Sequence, residues 1–156
     1  MGPMANERRV PQMEAMLADA ISHGGEIVTG GNRIGNKGYF FEPTVVTGAN
    51  AGMKAMNEEP FGPVAMVRPF KDLAEVVTEA NRLPYALASY AFTGSGKTAQ
   101  ALAAGVEVGM MTINHLGLAI PEVPFGGVKD SGYGTEGGSE AIGAYLNTKF
   151  VSQFGL

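Results

Sequence analysis

Residues 124–138 read PFGGVKDSGYGTEGG, and this glycine-rich stretch is the most informative part of the chain. The apolar periodicity of a helix or a strand is absent from it. Glycine adopts backbone angles that are closed to other residues and allows neighbouring groups to approach closely. The stretch, called the signature loop below, is therefore predicted to be a shaped loop beside a functional site.

The composition surrounding the signature loop predicts a globular domain. The 156 residues can bury a core, and an apolar share of 45% is ordinary. There are 23 glycines, roughly double the usual share of ~7%. A net charge of −4 argues against nucleic acid as a partner, because nucleic acid requires a basic surface.

Cysteine and apolar runs set further limits on the class of protein. The chain has no cysteine, which excludes a disulfide framework and a thiolate metal site, and no metal site is predicted. No apolar run approaches the roughly 18 residues of a membrane span. Residues 1–9 lack the apolar core of a signal peptide. We therefore expect a cytoplasmic protein that does not interact with a membrane.

Helical and extended patterns alternate along the chain, which favours an α/β fold with a largely parallel sheet and flanking helices. Asp72 and Glu75 are spaced as a capping box at the start of one helix. That helix is predicted to bury Leu73, Val76, Val77 and Ala80. The other helices are predicted at residues 10–23, 98–104 and 136–145, and strands at 26–29, 64–70, 86–92, 106–113 and 148–154, with 39–46 extended and 30–38 and 114–134 as loops.

Residues 91–98 read AFTGSGKT and satisfy a relaxed P-loop pattern. In a P-loop, backbone amides would cradle phosphates, Lys97 would contact the terminal phosphates and Thr98 would bind magnesium. No apolar strand ending in an aspartate is available to hold that magnesium. A strand-to-helix turn with a serine or threonine cap is therefore the favoured interpretation.

Residues 132–137 read GYGTEG and match the dinucleotide fingerprint GxGxxG. That fingerprint works when a strand leads into it and a helix opens from it. Here the preceding residues are a polar loop, and no strand with an acidic residue follows about 20 positions later. The pattern is therefore interpreted as loop architecture.

Four further segments accompany the signature loop in a fixed order. They read GPMANERRV at 2–10, NKGYFFEPTVV at 36–46, EEPFGPV at 58–64 and MTINHL at 111–116. Together they resemble the C-terminal, catalytic-domain part of the NAD(P)-dependent aldehyde dehydrogenase superfamily, with succinate-semialdehyde dehydrogenase-like members the most similar. The resemblance implies a partial catalytic domain over residues 1–147 and an oligomerisation strand over residues 148–156.

The resemblance implies oxidation of an aldehyde to a carboxylic acid. In the family a cysteine attacks the aldehyde, hydride passes to the nicotinamide, and water activated by a glutamate releases the acid. An asparagine stabilises the oxyanion. These residues, like the dinucleotide-binding domain, precede the region resembled here. No catalytic residue is therefore assigned, and the 156 residues by themselves are expected to be inactive and to bind neither NAD nor NADP.

The resemblance assigns roles to residues that remain. Glu59 matches an acidic residue that binds the nicotinamide ribose hydroxyls, since a carboxylate accepts hydrogen bonds from a diol. Phe61 matches an aromatic residue that packs against the nicotinamide. The alternative from the residues alone is a solvated Glu59 and a core Phe61.

The strand end and loop at residues 114–127 are assigned in the same way. Asn114 matches an asparagine expected to hold loop backbone through Asx-type hydrogen bonds. Residues 116–123, the tunnel segment, match the lining of the substrate tunnel, and their apolar character favours an apolar substrate portion. Succinate-semialdehyde enzymes place hydroxyls where Ala119 and Ile120 stand here. The tunnel-lining residues are His115, Leu116, Leu118, Ala119 and Ile120, and the structural loop residues are Asn114, Pro124, Phe125, Gly126 and Gly127.

The C-terminal residues 149–154, KFVSQF, match the strand that pairs subunits in the family. An exposed strand edge offers unpaired backbone groups, so a homo-oligomer, a dimer or a tetramer, is expected. Two other functions stay open: a non-catalytic oligomerisation or scaffold domain derived from such an enzyme, and a P-loop nucleotide binder.

Overall fold

The computed structural model describes residues 1–155, and the chain separates into two compact units, Met1–Lys71 and Asp72–Leu156. We call them unit 1 and unit 2. The predicted boundary between residues 147 and 148 stays a prediction.

Unit 1 begins with helix α1, Arg9–Ser22, which confirms the helix predicted at residues 10–23. Its apolar side chains recur at helical spacing, so that one face of the helix is buried. The helix ends where the Gly25 amide donates to the Ala20 carbonyl at 2.8 Å and Gly24 takes a φ of +86°. Its buried residues are Val10, Met13, Met16, Leu17 and Ala20.

A three-stranded sheet follows α1 in unit 1. Its strands are β1 (Glu26–Thr29), β2 (Thr44–Thr47) and β3 (Val64–Met66), in that spatial order. Strand β2 is antiparallel to β1 and parallel to β3. A short 3₁₀ helix, Lys54–Met56, precedes β3. Residues from the helix, the sheet and the loops meet in one apolar core: Val10, Met13, Met16, Leu17, Ala20, Phe41, Val46, Ala49, Met53 and Ala55.

Unit 2 contains two strand pairs and three helical elements. Strands β4 (Tyr85–Ala86) and β7 (Val128–Lys129) pair antiparallel, while β5 (Ala88–Ala91) and β6 (Met110–Ile113) pair parallel. The helical elements are α2 (Leu73–Ala80), α3 (Gly96–Gly105) and a 3₁₀ helix (Ser139–Tyr145).

Side-chain caps begin both α-helices of unit 2. The Asp72 carboxylate accepts from the Ala74 amide at 3.0 Å, as a predicted cap should. Neither α2 nor α3 buries a residue. The predicted buried face of α2 is therefore wrong in this chain: Leu73, Val76 and Val77 are half-buried and Ala80 is exposed. Helical spacing identifies which face of a helix is apolar, but it does not show whether another element packs against that face.

The described sheets differ from the prediction of one largely parallel sheet. Two of the four strand pairings are antiparallel, and the strands lie in three separate sheets. The helix predicted at residues 136–145 begins at Ser139 and is 3₁₀. Residues 146–155 contain no strand, so the predicted oligomerisation strand is not confirmed, and its last residue lies outside the described part.

Candidate functional site

Residues 58–63 form a tightly turned link before β3. The Phe61 amide donates to the Glu59 carbonyl at 3.0 Å, and the Gly62 amide donates to the Pro60 carbonyl at 2.6 Å. The Pro63 carbonyl then accepts from the Thr44 amide at 2.7 Å, which joins the link to β2. Because proline fixes φ and these bonds follow one another, the link has little backbone freedom.

Gly62 lets this link lie directly on helix α1. A Cβ atom on Gly62 would overlap the sulfur of Met13, whose side chain is fully buried. The contact between Gly62 and the buried Met13 therefore sets the distance between the link and helix α1.

Glu59 and Phe61, the two predicted cofactor residues, both project from this link. Glu59 is exposed, and its carboxylate has no hydrogen bond or ion pair within residues 1–155. Phe61 is 62% exposed, so it is not part of the core of the described chain. The guanidinium carbon of Arg9 lies 5.0 Å from the centre of the Phe61 ring. The link thus presents a free carboxylate and an open aromatic surface within one turn.

Asn114 stands at the end of β6 with a φ of +62°. Its side-chain oxygen accepts from the Thr93 amide at 2.8 Å, and its side-chain nitrogen donates to the Thr93 carbonyl at 2.9 Å. These two bonds tie the loop after β5 to the loop after β6. The sequence did not reveal Thr93, because only its backbone takes part.

The tunnel segment borders an open cavity of about 330 Å³ in unit 2. Of the predicted lining residues, the structure brings His115, Leu118 and Ile120 to this cavity, but not Leu116 or Ala119. Leu116 is 71% exposed. The remaining lining residues are Gly109, Met110, Met111, Thr112, Gly117, Val123 and Pro124, of which Gly109 and Met110 belong to none of the quoted motifs.

His115 is held by local bonds. Its carbonyl accepts from the Thr112 hydroxyl at 2.7 Å, and its Nδ1 lies 3.2 Å from the Gly117 amide, which can donate to it. No carboxylate in the described chain is hydrogen-bonded to the ring. This arrangement shapes the loop and provides no acid–base partner.

The signature loop folds back on itself. Phe125 and Glu136 exchange two backbone hydrogen bonds, of 2.6 and 2.8 Å. A Cβ atom on Gly109 would overlap the carbonyl oxygen of Gly126, and one on Gly127 would lie 2.7 Å from the Cβ of Ser131. Glycine is therefore needed where the loop meets the start of β6, and Gly109 had no motif to indicate this role.

A polar network joins the signature loop to the helices of unit 2. Lys129, whose φ is +56°, forms an ion pair with Glu107 and donates to the Asn81 carbonyl at 3.4 Å. The Asn81 side chain donates to the Gly105 carbonyl and accepts from the Glu107 amide, both at 2.8 Å. Asn81 thus connects the ends of α2 and α3, although no sequence pattern singled it out.

The two nucleotide-like patterns occupy ordinary structural positions. The Ser95 hydroxyl accepts from the Thr98 amide at 3.2 Å, so residues 91–98 form a strand end and the serine cap of α3. The GxGxxG residues 132–137 precede a 3₁₀ helix and follow no long strand.

Residues 1–155 contain neither a candidate membrane-spanning helix nor a candidate metal-ligating cluster. No helix there combines the length and apolarity needed to cross a bilayer. No group of three or more His, Cys, Asp or Glu side chains is placed to hold a metal ion.

The chain is thus a mixed α/β protein whose candidate site residues lie on loops, namely the exposed link at 58–63 and the loops that follow β5 and β6. The model of the aldehyde dehydrogenase family matches residues 1–151. The chain belongs to the aldehyde dehydrogenase family.

Individual relatives agree with that family. The chain is 42% identical to 4-(hydroxymethyl)benzenesulfonate dehydrogenase of Comamonas testosteroni, over 97% of this chain and 31% of that protein. It is 40% identical to the mitochondrial succinate-semialdehyde dehydrogenase of Rattus norvegicus, over 99% of this chain and 30% of that protein. The chain therefore spans about a third of the length of these relatives.

Solved structures show the same relation. Succinate-semialdehyde dehydrogenase from Burkholderia pseudomallei superposes with a TM-score of 0.89 at 39% identity, covering 93% of this chain and 30% of that one. A betaine aldehyde dehydrogenase variant from Staphylococcus aureus, solved in complex with NAD+, gives a TM-score of 0.88 at 35% identity, covering 96% of this chain and 31% of that one.

Proposed function

We propose that the chain acts as the C-terminal part of the catalytic domain of an NAD(P)-dependent enzyme that oxidises an aldehyde to a carboxylic acid. The observation that carries the proposal is the family match over residues 1–151. Within that match, Glu59 and Phe61 stand exposed on one link and the tunnel segment borders a cavity. The family relation turns both features into candidate binding surfaces.

Glu59 and Phe61 are proposed to contact the cofactor. The Glu59 carboxylate is free to accept hydrogen bonds from the ribose diol, and Phe61 has an open ring surface for the nicotinamide. The residues present thus fit the group. The bound nicotinamide would supply the hydride acceptor, while these two side chains orient it.

The tunnel segment is proposed to contact the aldehyde substrate. Its cavity is lined mainly by apolar side chains, including Leu118, Ile120 and Val123, which favours an apolar substrate portion. Succinate semialdehyde has a carboxylate, and Ile120, which lines the cavity, offers no hydroxyl to hold it. An aldehyde without that charge is therefore the favoured substrate class.

The decisive experiment transfers the chain into a relative. In rat succinate-semialdehyde dehydrogenase, these residues would replace the matching third of the protein, which is 40% identical. We expect the chimera to oxidise aldehydes and Glu59→Gln to raise the KM for the cofactor. Glu58→Gln is the matched control, since that residue is a neighbouring exposed glutamate. A folded chimera whose cofactor KM responds equally to both changes would contradict the proposed role of Glu59.

A polypeptide of these 156 residues is proposed to be inactive by itself, because it has no cysteine to serve as the nucleophile. NADH formation would be measured with purified polypeptide and a panel of aldehydes. Turnover by a homogeneous preparation would refute this proposal.

Self-association is proposed through residues 148–156. Phe150, Val151 and Phe154 are 87%, 70% and 102% exposed, so a strand from another subunit would find uncovered apolar side chains beside free backbone groups. Sedimentation should show a dimer or tetramer that dissociates when residues 148–156 are removed. A monomer at all micromolar concentrations would count against this.

A non-catalytic scaffold is the second candidate, and the same exposed C-terminal residues favour it. A scaffold would co-purify with longer family members without changing their kinetics. A P-loop role is disfavoured, because the Thr93 and Thr98 amides that a phosphate would need already bind side chains. The cytoplasm stays a prediction, since one relative is mitochondrial by name.

A further inference from the structure

Arg9 and Phe61 form a contact that no motif of the sequence foreshadowed. The guanidinium carbon lies 5.0 Å from the ring centre, within the range of a cation–π interaction. Arg9 Nη1 also donates to Gln12 Oε1 at 2.9 Å, one helical turn further along α1. The guanidinium is therefore held from the helix side while it lies over the ring.

Helix α1 supports the Phe61 link at a second point. The fully buried Met13 lies against Gly62, which immediately follows Phe61. Arg9 and Met13 are four residues apart, so they project from the same face of α1. Helix α1 thus positions both the backbone next to Phe61, through Met13, and the cation over its ring, through Arg9.

The exposure of Phe61 shows that this contact leaves much of the ring free. With Arg9 in place, 62% of Phe61 is still accessible. Because an aromatic ring has two faces, a cation on one of them leaves the other for a second flat group.

We infer that Arg9 is a positioning residue that fixes the ring of Phe61 and places a positive charge behind the proposed nicotinamide surface. The inference rests on the proposed cofactor role of Phe61. The oxidised nicotinamide ring is cationic and the reduced ring is neutral. A fixed cation across the Phe61 ring therefore weakens binding of the oxidised cofactor relative to the reduced one.

The contact itself is tested on the 156-residue protein. The side-chain protons of Arg9 should show an upfield ring-current shift by NMR that disappears in Phe61→Leu. Arg8 is the internal reference, because it is an adjacent exposed arginine with no ring contact in the described chain. Equal shifts for both arginines, unaffected by Phe61→Leu, would overturn the inference.

The consequence for binding is tested in the active chimera by NADH fluorescence and competition with NAD+. Arg9→Gln should lower the ratio of the Kd for NAD+ to the Kd for NADH by about threefold, the size expected for one screened charge. Arg9→Lys keeps the charge and should retain most of the ratio. Arg8→Gln removes the same charge one residue away and should change the ratio less.

Failure of the inference is separable from failure of the proposed function. If Glu59→Gln and Phe61→Leu weaken the cofactor but Arg9→Gln and Arg8→Gln behave alike, Arg9 has no positioning role. If cofactor affinity ignores Glu59→Gln and Phe61→Leu, the proposed cofactor site is wrong and the inference falls with it.

Discussion

Unit 1 and unit 2 differ in how much of their apolar surface they bury. Unit 1 has a contiguous core in which Met13, Val46 and Met53 are fully buried. In unit 2 the buried apolar residues of the described chain are Ala86 and Met110 alone, and both α-helices bury none. Unit 1 carries the proposed cofactor link, whereas unit 2 carries the tunnel segment.

The difference indicates which elements depend on other surfaces. Helix α2 has an apolar face at Leu73, Val76 and Val77 that stays half-exposed. Phe92, Tyr133 and Tyr145 are 65%, 101% and 84% exposed. Exposed apolar side chains can take part in interaction surfaces, so we expect further polypeptide to cover part of unit 2. The relatives are about three times longer and have further chain that could do so.

The largest expected effect comes from one substitution made in both units. Met13→Ala should cost about 3 kcal/mol, because it opens a cavity in a closed core. Met110→Ala should cost less, about 1 to 2 kcal/mol, because Met110 already borders an open cavity. Peptide-resolved hydrogen exchange would assign each loss to its unit. Equal losses of stability in the two variants would contradict the difference in core packing between unit 1 and unit 2.

Close packing of glycine in unit 2 gives the second effect. Gly109→Ala should cost about 1 to 3 kcal/mol, because its methyl group would meet the Gly126 carbonyl, a backbone atom that cannot turn away. Gly117→Ala is the control, since the nearest atom to its added Cβ is 3.7 Å away. Urea denaturation followed by circular dichroism measures both. Similar urea midpoints for the two variants would mean that the signature loop can move to accommodate the added methyl group.

The cap of α2 tests the poorly covered helix. Asp72→Ala should cost about 1 kcal/mol, because the Ala74 amide loses its acceptor. Asp130→Ala removes an exposed carboxylate that caps no helix and should change little. Exchange rates within residues 73–80 are the measurement. A helix that is unchanged by loss of the cap would have to be held by its half-buried face.

The smallest effect concerns the ion pair of the signature loop. Lys129→Met should cost about 0.5 kcal/mol or less, because Glu107 is 62% exposed and water screens the pair. Lys97→Met is the control, since Lys97 is exposed without an ion pair among residues 1–155. Salt should reduce the difference between the two variants. A salt-independent loss would indicate that packing, rather than charge, holds the loop.

Local patterns predicted the elements that depend on local forces. The helical pattern at residues 10–23 predicted α1, and Asp72 predicted the start of α2. Strand pairing was not predictable in the same way, because β4 and β7 are more than 40 residues apart and meet through backbone groups. The predicted burial of the apolar face of α2 was wrong, because burial depends on which other elements pack against the helix.

The candidate site was predicted through motifs rather than through contacts. The motifs indicated Glu59, Phe61 and Asn114, but not the partners that hold them. Arg9 contacts the ring of Phe61, and Thr93 binds Asn114 through its backbone. Asn81, elsewhere in unit 2, connects the ends of α2 and α3. Leu116 and Ala119 were placed in the tunnel, yet neither lines the cavity, because successive residues of an irregular loop need not face the same way.

The double hydrogen bond of Asn114 to Thr93 has a consequence for how this loop can diversify. It fixes the exits of two neighbouring strands, and the backbone bonds from residue 115 to residue 123 are mostly local. Side chains at positions such as Leu118 and Ile120, which do line the cavity, can therefore be exchanged without disturbing strand register. Under the proposed function, substrate range would change through these positions while Asn114 and the strand ends stay the same.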